Sequence, residues 1–274
     1  QILTHTHTRT RACTHTDVHI VTYPKAGTSW VQEVAWLVNH DGAIDRAKAA
    51  SSSQRTLYIE LQTAGMSDRP TAVESLPQDE PRHIKWHHCA FLLPQTLLEG
   101  KVIYLMRNPK DTCVSWYHFQ RMNTLYGFTG SFDEFLELFL EDQVVYGSYF
   151  ANVLSWWKLR QHPNVLILTY EGMHADLPAT VTKIAAFLDK SLSSAQISDI
   201  CAHCSFDTMR ENPMTNAHAM PKIAGEGQFL RKGQVGDWTN YFSKEQNARM
   251  DAWIERNSVG HDLPLVYHPD AADV

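Results

Sequence analysis

Residues 18–38 leave this chain little architectural choice. Val18-His19-Ile20-Val21-Thr22 is a short β-type run, and residues 23–29 form a turn that carries Pro24 and Gly27. Trp30, Val31, Val34, Ala35, Leu37 and Val38 then make one apolar stripe at helical spacing. The order strand, turn, helix recurs twice. Val102-Ile103-Tyr104-Leu105-Met106 reads as a strand that ends in Arg107-Asn108-Pro109 before a helix from about Lys110. A third strand around Val165, Ile167 and Leu168 ends at Tyr170-Glu171 before a helical stretch over 177–188. Strands alternating with helices predict an α/β fold, a single domain whose central, mostly parallel sheet is flanked by helices on both faces. Ligands of such sheets bind beyond the carboxyl ends of the strands, the rim where Lys25, Arg107 and Tyr170 all fall.

Elsewhere the pattern is weaker. Residues 41–81 are polar, hold Ser51-Ser52-Ser53 and several prolines, and read as loop-rich. Residues 1–16 are rich in Thr, His and Arg without an apolar period, so no packed element is expected there and the domain proper is read as 17–274. A formal net charge of −6 argues against nucleic acid or an anionic membrane as partner, so any basic function must be local. No apolar run approaches the roughly 20 residues of a membrane span, and the N-terminus lacks a signal-type apolar core. Five cysteines, Cys13, Cys89, Cys113, Cys201 and Cys204, are an odd, sparse set in a chain of this length. That usage fits reduced thiols and a cytoplasmic location.

The turn Lys25-Ala26-Gly27-Thr28-Ser29 joins a strand to a helix N-terminus, where unpaired N–H groups and the helix dipole favour phosphate or sulfate. Gly27 allows close backbone approach, Thr28 and Ser29 add hydroxyl donors, and Lys25 supplies a mobile charge. The Walker pattern is absent, which counts against an ordinary ATPase or GTPase. The plain alternative is a glycine turn with a solvated lysine.

Tyr23-Pro24-Lys25-Ala26-Gly27-Thr28-Ser29-Trp30 resembles the 5′-phosphosulfate loop of the cytosolic sulfotransferases, and the similarity continues nearly to the C-terminus. That family usually reads Ser and Thr where this chain has Ala26 and Ser29. By the same resemblance, 82–94 is similar to the family's Lys-Thr-His segment, which makes His87 the catalytic base. The chemistry agrees, since an attacking hydroxyl must lose a proton and histidine titrates near working pH. His88 is a rival, but neighbours on a strand point to opposite faces, whereas Lys85 and His87 share one. Trp86 replaces a usual Thr and His88-Cys89 a usual Leu-Pro, which brings the shape of the acceptor pocket into question.

The resemblance further implies that Arg107 and Ser115 hold the 3′-phosphate, together with Phe229-Leu230-Arg231-Lys232-Gly233. Trp30 and Phe206 match the adenine-stacking residues, and Tyr170 a base-contacting tyrosine. Cys204-Ser205-Phe206-Asp207-Thr208-Met209 matches a third nucleotide segment, with Cys204 in place of Thr. The implied cofactor is 3′-phosphoadenosine 5′-phosphosulfate (PAPS), with PAP as product and no metal. The implied reaction is in-line sulfuryl transfer to a hydroxyl or amine of a small molecule: His87 takes the proton, Lys85 and Lys25 stabilise charge, and Ser115 orients Lys25.

Three rival readings stand beside it. One is a nucleotide binder with little turnover, because residues 1–16 do not resemble the family's ordered segment that walls the acceptor pocket. Another is a kinase with an unusual phosphate loop, weakened by the missing Walker pair and by no obvious magnesium carboxylate. Cys201-Ala202-His203-Cys204 also reads as Cys-x-x-Cys, but no second ligand pair or thioredoxin-like context accompanies it. His5, His7, His15 and His19 are assigned no function. The stretch 238–248 lacks the family's dimerisation pattern, so a homodimer by that route is doubtful. Phe91, Phe119 and Tyr146 are candidates to line the acceptor pocket, with phenols, steroids, alcohols and amines all open.

Overall fold

A computed structural model describes residues 16–60, 80–215, 223 and 227–266. Five strands, β1 (Val18–Thr22), β2 (Thr56–Tyr58), β3 (His83–Trp86), β4 (Lys101–Met106) and β5 (Val165–Thr169), form one sheet in the order β2-β3-β1-β4-β5. Every pairing is parallel. The helices are α1 (Thr28–Asn39), α2 (Ile44–Ala49), α3 (Ser52–Arg55), α4 (Pro109–Met122), α5 (Phe132–Leu140), α6 (Tyr149–Trp157), α7 (Tyr170–Ala175), α8 (Leu177–Phe187), α9 (Ser194–His203), α10 (Phe206–Glu211) and α11 (Lys244–Ser258).

The period-two rule splits the buried strand residues between two cores. Val18, Ile20, Ile103 and Leu105 pack with Val31, Val34, Val181 and Ile184 of α1 and α8. Val21, Val102, Tyr104 and Met106 pack on the other face with Trp116, Phe135, Phe150 and Trp253 of α4, α5, α6 and α11. Two polar ties lie inside this packing. Glu33 on α1 accepts from Arg55 at 2.7 Å and from His203 at 2.9 Å. Lys110, whose side chain is fully buried, pairs with Asp251 at 2.5 Å and joins α4 to α11.

The α/β domain with a parallel central sheet is therefore present as expected. The loop-rich reading of 41–81 needs correction, since α2, α3 and β2 lie inside it. β2 is only three residues long and pairs with β3 alone, so it leaves no measurable period in the sequence. Residues 1–15 of the segment expected to lack packed structure, Cys13 among them, lie outside the described residues.

Candidate functional site

The carboxyl ends of β1, β3, β4 and β5 open into a cavity of about 660 Å³. One side is a turn between β1 and α1. Lys25 and Gly27 both take the left-handed conformation, with φ of 67° and 107°. The Gly27 carbonyl accepts from Trp30 and Val31 N–H at 3.0 and 3.1 Å, which starts α1 at the cavity and presents its first-turn amides there. A Cβ on Gly27 would sit 2.7 Å from the Tyr170 ring, so the glycine lets the β5 end close over the turn. Gly233, with φ of 66°, repeats the device: a Cβ there would come within 2.1 Å of Phe206.

Cations gather on the same side. Burial first, then the charges of Arg107, Arg231 and Lys85, pushes the Lys25 ammonium down to about 7. Its Nζ sits 4.1 Å from the Phe229 ring centre and 4.5 Å from that of Phe119. Arg107 donates to the Gln234 carbonyl at 2.9 Å, lies 4.1 Å over the Tyr170 ring, and has its own carbonyl held by the Tyr149 hydroxyl. Its Nε is buried without a protein partner. Asp111 is 3.9 Å from Arg107, but its nearer partners are the N–H groups of Gly236 at 2.8 Å and Trp238 at 3.0 Å. That carboxylate clamps the C-terminal loop onto α4. Within the loop, Asp237 pairs with Arg231 at 2.5 Å and Lys232 at 2.6 Å.

The opposite side centres on His87, just past β3. Its Nδ1 lies 2.9 Å from the Thr22 carbonyl and 3.2 Å from the Thr22 hydroxyl. A carbonyl only accepts, so Nδ1 carries the proton and Nε2 is the basic nitrogen. Burial lowers the imidazole to about 4, against the Glu60 charge that raises it. Glu60 also accepts the His87 backbone N–H at 2.9 Å, and Asn152 donates to the His87 carbonyl at 2.8 Å. Lys85 shares the cavity, lies 4.3 Å from the Tyr58 ring centre, and is lowered to about 8 by burial. His88 points elsewhere: its Nδ1 pairs with Glu60 at 2.5 Å, and its side chain is 40% exposed.

Lys25, Gly27, Thr28, Ser29, Trp30, Lys85, His87, Arg107, Ser115, Tyr170, Cys204, Phe206, Met209 and the run Phe229-Leu230-Arg231-Lys232-Gly233 all border the one cavity. Two expected contacts do not reach its wall. Ala26 is fully buried, and Ser205 caps α10 by accepting from Thr208 N–H at 3.4 Å. Trp86 also faces away, into the core, where its Nε1 donates to His19 at 3.1 Å. The exchange of Thr for Trp therefore leaves the wall unchanged. Phe119 and Tyr146 line the cavity, but Phe91 is 70% exposed on a turn that has already left the rim.

Sequence reasoning missed Tyr58, Trp116, Asn123, Leu125 and Tyr126 in this wall. Trp116 was readable, since it follows Ser115 on the same helix. Tyr58 was not, because β2 itself was invisible. Among the described residues, no group of three or more His, Cys, Asp or Glu is arranged to hold a metal. Cys204 is buried, its thiol raised well above the ordinary range, and its carbonyl accepts from Trp30 Nε1 at 2.9 Å. His19 is buried in the core, while His5, His7 and His15 lie outside the described residues. No helix among the described residues is long and apolar enough to cross a membrane.

A family model of the sulfotransferase domain matches residues 15–261. Sulfotransferase 1B1 of Mus musculus is 39% identical over 253 residues, 90% of this chain and 84% of that protein. Sulfotransferase 1A1 of Bos taurus is 38% identical over 90% and 85%. Among solved structures, retinol dehydratase in complex with androsterone and the inactive cofactor PAP superposes with a TM-score of 0.85 at 30% identity, over 94% of this chain and 84% of that one. Mouse sulfotransferase SULT7A1 complexed with PAP gives 0.72 at 30% identity, over 96% and 87%. Since the match spans every strand that ends at the cavity, the chain belongs to the sulfotransferase family.

Proposed function

We propose that this chain moves a sulfuryl group in line from PAPS to a hydroxyl or amine of a small-molecule acceptor, with His87 as general base. One observation carries the reading: His87 is fixed through Nδ1 on Thr22, so its basic Nε2 belongs to the cavity that the cations share. The residues fit the cofactor. Lys25 is held low partly by three neighbouring cations, an arrangement that an anion relieves, and Gly27 and Gly233 keep open space that a Cβ would fill. When bound, PAPS supplies a sulfuryl group on a phosphate leaving group.

Lys25 and the first turn of α1 would hold the 5′ end, and Arg107, Ser115, Arg231 and Lys232 the 3′-phosphate. Trp30 and Phe206 would flank the base, beside Tyr170. Lys85, two residues from His87 on the same side, would offset charge on the group in transfer. The retinol dehydratase relative holds PAP beside androsterone, which supports a small-molecule acceptor. Four cysteines without disulfides among the described residues support a cytoplasmic setting.

The test is transfer from radiolabelled PAPS to a panel of phenols, steroids, alcohols and amines. His87→Ala lowers kcat by about 10²–10⁴-fold while PAP still binds by calorimetry. Near-normal turnover in that variant would remove His87 from the base role.

A further inference from the structure

On the acceptor side the wall is largely apolar, formed by Trp116, Phe119, Leu125 and Tyr126. Asn123 also borders it and directs its amide oxygen to the Leu125 N–H at 2.9 Å. Against that background two phenol hydroxyls stand out. Tyr58, from β2, and Tyr146, from the loop between α5 and α6, lie on the His87 imidazole with ring centres 5.2 and 5.5 Å away at 81° and 78°. Their hydroxyls are hydrogen-bonded to each other.

The loop that brings Tyr146 there is held in an uncommon shape. Tyr146 has a φ of 75° and Gly147 one of 67°. A side-chain-bearing residue in that region is strained and persists only where its surroundings impose it. The Tyr23 hydroxyl pins the loop by donating to the Gly147 carbonyl at 2.9 Å.

Either hydroxyl can be the donor in that bond, so the Tyr58 hydroxyl keeps capacity for a further hydrogen bond, as donor or as acceptor. Burial raises both phenols above their ordinary range, so both stay neutral. The Tyr58 ring itself lies against both His87 and Lys85.

We propose that the Tyr58–Tyr146 pair reads a second hydroxyl on the acceptor, adjacent to the hydroxyl that His87 deprotonates. Vicinal diols of the catechol type are then preferred over monohydroxy isosteres. The inference rests on the sulfuryl-transfer reading above and names a determinant of acceptor choice within it. Both rings line the cavity, and the Tyr58 hydroxyl supplies the polar contact there. A neighbouring hydroxyl on the acceptor hydrogen-bonds to it, while a monophenol leaves it unengaged.

The experiment compares kcat/KM for a 4-alkylcatechol and the matching 4-alkylphenol, with the catechol's rate taken separately for its meta and para monosulfate products. It is run on the full chain, on Tyr58→Phe and on Tyr146→Phe, with PAP affinity measured for each as a check on folding. The unaltered protein favours the catechol by about tenfold, the scale of one net hydrogen bond. Tyr58→Phe brings the ratio to near one, whatever happens to the absolute rates. Tyr146→Phe, which keeps the Tyr58 oxygen, lowers it by less. Equal ratios in the unaltered protein and Tyr58→Phe, or a preference for the phenol throughout, overturn the inference and leave sulfuryl transfer standing. PAP binding without transfer to either compound or to any of the wider acceptor panel overturns both.

Discussion

The cation-lined rim and the aromatic wall border one cavity but are made of different material. The rim is built from strand ends, two left-handed glycines, first-turn amides and a set of cations. The wall is built from aromatic side chains contributed by β2, α4 and the loops after α4 and α5. Main chain and glycine depend on a few adjacent residues, so the rim is written locally. Side chains that meet from distant segments are written only by the finished fold.

If that contrast is sound, backbone changes should hurt the rim and spare the wall. Gly233→Ala is the most severe case, because it sets a Cβ against Phe206 at a positive φ. PAP affinity falls by about a hundredfold, the scale of a strained backbone, as read by calorimetry. Retained affinity would break the comparison at its strongest point.

Acidity gives the next effect. Lys25 titrates near 7 in the free protein because burial and three cations disfavour its charge, and an anion favours the charged form. Below pH 7 the ammonium is already protonated and Lys25 adds nothing to the pH dependence of PAP affinity. Above it, binding must take up a proton, so affinity falls by up to about tenfold per pH unit. Isotherms at pH 8 in buffers of differing ionisation heat measure that uptake, and zero uptake removes Lys25 from the anion site. The lowered His87 is already neutral across this range and contributes nothing to that slope, whereas Lys85, lowered to about 8 in the same cavity, adds to it, so the difference between the unaltered protein and Lys25→Met gives the Lys25 share.

The smallest effect sharpens the wall's boundary. Trp86→Phe lowers stability by about 1–2 kcal/mol, through lost packing and the lost bond to His19. Acceptor KM stays as it was, since Trp86 faces the core. A changed KM would place Trp86 in the wall after all.

The same division explains what could be read beforehand. β1, β4 and β5 announced themselves because each is five or six residues long and mostly apolar, β5 even at an edge of the sheet. β2, a three-residue edge, had no run to show. The turn at Lys25, Arg107 and the loop at Arg231 carry their chemistry within a few consecutive residues, and the fold brings all three together. Tyr58 and Leu125 carry none until the sheet and α4 bring them to the cavity that His87 also lines. Phe91 misled for a matching reason: an apolar residue near His87 in sequence left the rim once the chain turned at Ala90–Leu92.

Thr22 touches both halves. Its hydroxyl is 2.6 Å from that of Thr28 in the rim, and its carbonyl holds His87 at 2.9 Å. One residue at the end of a central strand thus links the α1 turn directly to His87. On the sulfuryl-transfer reading, that link ties the distance over which the group travels to β1 as well as to the aromatic rings that flank the imidazole.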